Sequence, residues 1–343
     1  MRLSNIVLAF IFGSVIWGCN SSNSQEKDSR RDTANASGLT PESVDQSKQA
    51  PALDTVEYNR KIQEMANGDT SGGWPVKGPY PLPGAIFPFN RVVAYYGNLF
   101  STRMGALGEY PKEQMLKMLM DEKKKWEKAD SSLPVIPALH YIAVTAQGAP
   151  GRDGKYRLRM PFHQIDTIIN WAKEIDALVF VDVQVGHANL ATEVLEFKEY
   201  FKLPNFHLGI DPEFSMKGGQ RPGSVIGSFN ANDINSVIDI LAQVVKENNL
   251  PPKILVVHRF THDMVMNYKN IKLVPEVQVV IDMDGWGNKA LKANTWKRWV
   301  YEQPVQFAGF KIFYKNDLKQ GGGLYTPEEL SKFIPKPIYI QYQ

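Results

Sequence analysis

Residues 160–185 read MPFHQIDTIINWAKEIDALVFVDVQV, and this stretch decides the fold. Pro161–Glu174 carries apolar residues at helical spacing, and Ala177–Val185 follows at once as a short apolar, β-branched run. A helix feeding directly into such a strand is the repeating unit of a parallel sheet covered by helices. Working outward, the unit recurs. Strand-like runs fall at Val92–Tyr96, Val135–Ala143, Phe206–Glu213, Ile254–Phe260, Val277–Asp284, Phe307–Tyr314 and Ile338–Tyr342. Between them Lys112–Ala129, Thr192–Phe201, Asn232–Asn248, Asp263–Asn270, Asn288–Val300 and Thr326–Phe333 read as helices. Asn230 and Asp233 supply start signals for the long helix, as does Thr326-Pro327-Glu328-Glu329 for the last. About eight strands over roughly 250 residues predict an α/β fold closed into a (β/α)₈ TIM-type barrel of parallel strands, spanning 90–343. An open doubly wound sheet would expect a glycine-rich first turn, which is missing. Gly321-Gly322-Gly323 follows no strand in that way and reads as a loop.

The first residues have another character. Arg2 precedes an apolar run from Ile6 to Trp17, about twelve residues, which is short for a membrane span and suits the core of an export signal. It ends at Gly18-Cys19, and Cys19 is the single cysteine of the chain, so no intrachain disulfide can form. A small residue before a lone cysteine resembles the lipobox of bacterial lipoproteins. That resemblance implies a signal peptide over 1–18, lipidation of Cys19, and a membrane partner through the lipid anchor. It implies residence in the cell envelope, at the outer membrane if the cell is Gram-negative, because Asn20 and not Asp follows the cysteine. Residues 19–55 are polar and poor in large apolar side chains, which predicts a disordered tether. Residues 56–89 predict a short helix at Val56–Met65 and then a Pro/Gly-rich strap over Gly72–Pro88. The formal net charge is +3, and Lys123-Lys124-Lys125 is interleaved with Asp121, Glu122 and Glu127, so a nucleic-acid partner is not expected.

Function is read from parity, because side chains two apart on a strand share a face. Asp182 and Gln184 share a face, as do Asp282 and Asp284, while Asp211 and Glu213 share theirs with His207 and Gly209. His140, His258, Lys311 and Gln341 are the single polar residues of other strands. All but His207 fall in the middle or C-terminal half of their strands, the end at which barrels gather functional groups. Buried acids need partners, so this set predicts a wet ligand pocket, with Lys311 or Arg259 available to neutralise some of the acids. Trp286 follows the sixth strand and predicts a stacking platform, and Tyr96, Tyr141, Phe214, Tyr314 and Tyr342 are candidates for the rim.

Asp211-Pro212-Glu213 is the sharpest local motif. Two neighbouring carboxylates repel, so the more desolvated one retains its proton, and a protonated acid beside an ionised one is what glycosidic cleavage uses. The motif resembles the D-x-E of family-18 chitinase-like glycosidases and of family-25 lysozymes. That resemblance implies Glu213 as proton donor with Asp211 as its partner, and Asp284 completes the catalytic candidates. Gly209 stands where the longer chitinase motif has an aspartate. The strings Tyr95-Tyr96-Gly97 and Asp211-Pro212-Glu213 also resemble a set of secreted bacterial proteins, which implies no activity. Asp182, Gln184, Asp282, His258, Trp286, Lys311, Gln341 and His140 are the substrate-binding candidates, with a carbohydrate as the ligand. Three functions are compatible with this set: an envelope glycoside hydrolase needing no cofactor, a metal-dependent barrel enzyme, or a non-catalytic glycan-binding lipoprotein. For the second, Asp182, Asp211, Glu213 and Asp284 offer oxygen and His140 and His258 nitrogen to a divalent metal.

Overall fold

The computed structural model describes residues 51–343. Cys19, the signal peptide and most of the tether lie outside the described residues. The barrel strands are β1 (Arg91–Gly97), β2 (Val135–Ala146), β3 (Leu178–Val183), β4 (Phe206–Ile210), β5 (Lys253–Arg259), β6 (Val277–Met283), β7 (Phe307–Ile312) and β8 (Tyr339–Tyr342). Each pairs in parallel with the next, and β1 pairs with both β2 and β8, so the eight-stranded sheet closes. A short strand, Arg157–Arg159, adds antiparallel to the end of β2.

The helices are α1 (Thr55–Ala66), α2 (Ala106–Glu109), α3 (Lys112–Ala129), α4 (Phe162–Glu174), α5 (Leu190–Leu195), α6 (Ala231–Asn248), α7 (Lys289–Trp296) and α8 (Pro327–Leu330). No described helix is long and apolar enough to cross a membrane. Two helical expectations are corrected. Thr192–Phe201 breaks after α5 and resumes as a 3₁₀ turn at Tyr200–Lys202. Asp263–Asn270 forms no α-helix: Val265–Met266 pairs with Phe229–Asn230, and Asn267 turns left-handed before a 3₁₀ turn. The buried Arg259 holds this connection, donating to the carbonyls of Thr261, His262, Val265 and Trp299 and to Gln303 Oε1. Those carbonyls are spent on a guanidinium and not on a helical ladder. Arg259 therefore does not neutralise the barrel acids.

Strand parity sorts the core into two layers. Val93, Leu139, Val181, Leu208, Val257, Ile281, Phe310 and Ile340 face outward against Leu119, Ile165, Ile168, Ile238 and Leu241 of the helices. Val92, Ala94, Ala138, Phe180, Ile254, Val256, Val280, Phe307 and Tyr339 face inward and fill the lower half of the barrel. The strap closes that end by inserting Phe87, whose ring lies 5.2 Å from that of Phe307. Gln278 of β6 pins it, accepting from the amides of Ile86 and Phe87 and donating to the Phe87 carbonyl at 2.7 Å. With its lower half filled by apolar side chains and the strap, the barrel gathers its charged groups at the C-terminal ends of its strands.

The lysine-rich face of α3 pairs internally, Lys123 with Glu127, Lys124 with Asp121 and Lys125 with Glu122, as expected of a solvated helix. At α6 the start signals form a complete capping box. Asn230 Oδ1 accepts from the Asp233 amide at 3.0 Å, and Asp233 Oδ2 accepts from the Asn230 amide at 2.7 Å. Asn230→Ala removes one of these bonds and is expected to destabilise the fold by about 1 kcal/mol. The check is a lower denaturant midpoint at unchanged slope.

Candidate functional site

Asp182 stands at the centre of the upper barrel, fully buried. Tyr96 Oη donates to its Oδ2 at 2.9 Å. Its Oδ1 faces two imidazole nitrogens, His140 Nε2 at 3.3 Å and His258 Nε2 at 3.2 Å. The far side of each ring is also occupied. His140 Nδ1 lies 2.6 Å from Tyr339 Oη and 3.0 Å from Gln341 Nε2, and His258 Nδ1 lies 3.2 Å from Asp284 Oδ2 and 3.4 Å from Asp282 Oδ2. Lys311 Nζ ends the chain of charges, 3.0 Å from Asp284 Oδ1 and 3.9 Å above the Tyr96 ring.

Register explains how these side chains fit together. Asp182 lies opposite Gly209, Asp282 opposite Gly309, and His258 opposite Asp282. A Cβ at residue 209 would overlap Asp182 Oδ1 and His140 Nε2, and one at residue 309 would stand 2.7 Å from Asp282 Oδ1. Both glycines make room for carboxylates on the neighbouring strand. The aspartate that the chitinase-like pattern places at position 209 has no space here.

The charge states follow from the surroundings. Burial disfavours the His258 imidazolium, but the Asp182 and Asp284 carboxylates outweigh it and hold its pKa well above the usual histidine value. Burial likewise opposes ionisation of Asp182, yet His258 and His140 carry its pKa far below the carboxylate range. For His140 burial wins and lowers the pKa to about 4, leaving a neutral ring. Its Nε2 then donates to Asp182, and its Nδ1 accepts. Burial opposes ionisation of Asp284 too, but Lys311 and His258 bring its pKa below the ordinary value. Asp282 is fully buried with neither oxygen hydrogen-bonded, and burial raises its pKa.

The fourth strand corrects the expected geometry. It ends at Ile210 and does not run on to Glu213. Pro212 has no amide to donate to a ladder, and Asp211 Oδ1 accepts from the Glu213 amide at 3.0 Å, which turns the chain into a 3₁₀ helix at Pro212–Phe214. Asp211 remains in line with His207 and Gly209 and is buried, whereas Glu213 lies in the 3₁₀ turn beyond the strand and is half-buried, still within reach of the charges of Asp284, Lys311 and His258. His207 stays inside and deep, accepting from the Ile254 amide at 3.1 Å against the Phe180 ring. Burial first, then the negative charge of Asp211 and Asp284, pushes the Glu213 carboxyl up to about 8. Asp211 is raised as well, by burial and by Asp182 and Asp284, against the pull of His258.

Of the expected site residues, Asp182, Asp284, Asp282, His140, His258, Lys311 and Gln341 belong to one connected cluster. Gln184 lies apart, accepting from the Ala146 amide at 3.1 Å, and Trp286 is 40% exposed with Lys319 Nζ 5.9 Å from its ring. The wet pocket is corrected to a closely packed polar core whose residues range from 0 to 8% exposed, Asp284 being the most accessible. The rim is corrected also. Tyr342 faces outward and accepts from Trp126 Nε1, Tyr314 packs with Tyr95 and Tyr342, and Tyr141 pairs with Gln164 of α4. Tyr96 lies within the cluster. Sequence reasoning overlooked Tyr339, although its parity with Gln341 was a signal that it points inward.

His140, Asp182 and His258 each offer a ligand atom, all within 4.8 Å of one another, and could hold a metal ion. No protein-family model matches the chain, and no curated protein sequence matches it. Among solved structures it is weakly similar to a hyperthermophilic endo-beta-1,4-glucanase, at 10% identity and a TM-score of 0.39 over 74% of this chain and 89% of that one. It is similar to the YdhT protein from Bacillus subtilis at 12% identity and a TM-score of 0.40, over 86% and 88%. A sugar phosphate isomerase/epimerase from Parabacteroides distasonis matches at 11% identity and a TM-score of 0.33, over 78% and 90%. Neither substrate nor catalytic residues follow from likenesses this weak.

The ion pair within the cluster has a measurable cost of removal. Lys311→Met leaves Asp284 with only His258 to balance it, and is expected to destabilise the fold by about 3 kcal/mol, the lower end for a broken buried pair. Adding Asp284→Asn should recover part of that loss, which denaturant unfolding of the single and double variants measures.

Proposed function

We propose that the barrel is a glycoside hydrolase in which Glu213 is the general acid and Asp284 the ionised partner. The observation that carries the reading is the contrast between these two carboxyls. Glu213 stands half-buried at the C-terminal mouth with its pKa raised to about 8, so it holds a proton at neutral pH. Asp284 is ion-paired to Lys311 at 3.0 Å and stays charged. Two carboxyl groups driven apart in this way divide the work of glycosidic cleavage, one protonating the leaving oxygen and the other serving the developing positive charge or the attacking water. Asp211 fixes the donor: its side chain holds the Glu213 amide, and its negative charge raises the Glu213 pKa.

The substrate class is a carbohydrate, with Trp286 as the exposed ring beside the mouth on which a sugar face can stack. The reading extends to place. With Cys19 lipidated and residues 19–55 as a tether, the enzyme works on glycans of the cell envelope. Full-length protein expressed in a bacterium should partition into a detergent phase, and Cys19→Ser should move it to the aqueous fraction. Equal partitioning of the two would count against the anchor.

Glu213→Gln is expected to lower the release of reducing ends from soluble glycans and peptidoglycan fragments by about 10²–10⁴-fold, the range for loss of general acid catalysis. Wild-type activity should fall as pH rises through about 8, where Glu213 gives up its proton. Stability supplies an independent readout. Between the ordinary glutamate value of 4.5 and about 8, the folded protein keeps a proton that the unfolded chain has lost, so wild-type stability declines across that window. The Glu213→Gln variant lacks this contribution, so its Tm should exceed that of the wild type increasingly towards pH 8. A wild type inactive on the whole panel, or a variant of undiminished activity, would sink the proposal.

A further inference from the structure

We infer that His140, Asp182 and His258 form a binding site for one divalent first-row transition metal of the zinc class, a site that does not depend on the role given to Glu213. Three observations converge on it. The first is distance. Charge-assisted N–H···O⁻ hydrogen bonds run at about 2.7–2.9 Å. His140 Nε2 and His258 Nε2 instead stand 3.3 and 3.2 Å from Asp182 Oδ1. Ligands bound at about 2.0–2.1 Å around a tetrahedral centre lie roughly 3.3–3.4 Å apart. The two separations match the edge of such a tetrahedron better than they match a pair of strong hydrogen bonds.

The second is that each ligand has polar groups behind it, those behind His258 at ion-pair distance and without a hydrogen bond. Metal-bound imidazoles are oriented by a carboxylate, hydroxyl or carbonyl on their other nitrogen. His258 Nδ1 faces Asp284 Oδ2 at 3.2 Å and Asp282 Oδ2 at 3.4 Å. His140 Nδ1 faces Tyr339 Oη at 2.6 Å, and a metal on Nε2 would move the ring proton of the metal-free form to Nδ1, which would then donate to that hydroxyl; Tyr96 Oη fixes the second oxygen of Asp182 at 2.9 Å. The atoms left converging are His140 Nε2, Asp182 Oδ1 and His258 Nε2, all within 4.8 Å of one another.

The third is the cradle. Gly209 of the adjacent strand faces this point, and a Cβ there would overlap both Asp182 Oδ1 and His140 Nε2. The chain keeps backbone alone beside two of the three converging ligand atoms. Two imidazoles and one carboxylate select zinc, cobalt or ferrous iron over magnesium and calcium, which prefer all-oxygen shells. Three protein ligands also leave a fourth position for a small ligand.

The test uses tag-free, full-length protein stripped with a chelator and titrated with Co²⁺ or Zn²⁺, with Mg²⁺ and Ca²⁺ in parallel. Expected are one Co²⁺ or Zn²⁺ per chain, visible absorption bands of four-coordinate Co²⁺, and a Tm raised by either metal but not by Mg²⁺ or Ca²⁺. Asp182→Asn should abolish the bands. Because loss of a central carboxylate can also unfold the barrel, Tyr339→Phe is the second variant: it keeps all three ligands and should weaken Co²⁺ binding by about 10–100-fold, as loss of an orienting partner does. Absence of bound metal and of Co²⁺ bands in the wild type overturns the inference. So does binding of unchanged affinity in the folded Tyr339→Phe variant together with unchanged bands in Asp182→Asn. Glycan hydrolysis is not read in this experiment, so its failure and that of the hydrolase proposal remain distinguishable.

Discussion

A carboxylate with no access to water must be satisfied by its neighbours, and the upper half of this barrel is arranged around that demand at Asp182. An isolated charge there would cost many kcal/mol. Tyr96, His140 and His258 meet it from three different strands. The requirement then propagates. A charged His258 needs an acid on its other nitrogen, which Asp284 provides, and Asp284 in turn needs Lys311. Each group is tolerable only because the next is present, so the strands that carry them are fixed in register by electrostatics as well as by backbone pairing.

The lower half makes the upper half possible. Phe87, Phe180, Phe307 and Tyr339 are buried beneath the polar layer and fill the barrel there. An apolar floor lowers the effective dielectric around the charges above it, which strengthens each pair and raises the cost of each omission. Glycine is placed under the same constraint: Gly209 and Gly309 each stand opposite an aspartate whose oxygens occupy the volume that a side chain would fill.

Much of this was legible in the sequence, and what was not has physical reasons. Alternation of runs such as Ala177–Val185 with helical segments gave the closed barrel, because burial on both faces forces continuous apolar strands. Parity alone placed Asp182, Asp282, Asp284, His140, His258, Lys311 and Gln341 inside. Partnership was hidden, because which side chains meet across strands depends on register and shear, to which no single strand testifies. Parity also fails where a strand stops. Glu213 was assigned to the face of Asp211, but the strand ends three residues earlier, at Ile210, and proline and the Asp211 cap carry the glutamate into a 3₁₀ turn. Tyr342 misled because its hydroxyl finds Trp126 on the helical side, and an aromatic near a strand end carries no sign of which layer it joins.

That turn divides the acids into two kinds. Asp182 and Asp284 are buried yet kept charged by cations, while Glu213, displaced from the strand by a single proline step, has no cation of its own. It feels mainly burial and the negative charge of Asp211 and Asp284. The same negative column that must be neutralised inside the barrel therefore raises the pKa of the one acid left at its mouth. Lys311 and His258 do act on Glu213, but more weakly than burial and the two aspartates. Their positive charge favours its ionised form without reversing the net upward shift. The raised pKa of Glu213 thus belongs to the turn that ends the fourth strand, where burial and the neighbouring aspartates outweigh the cations.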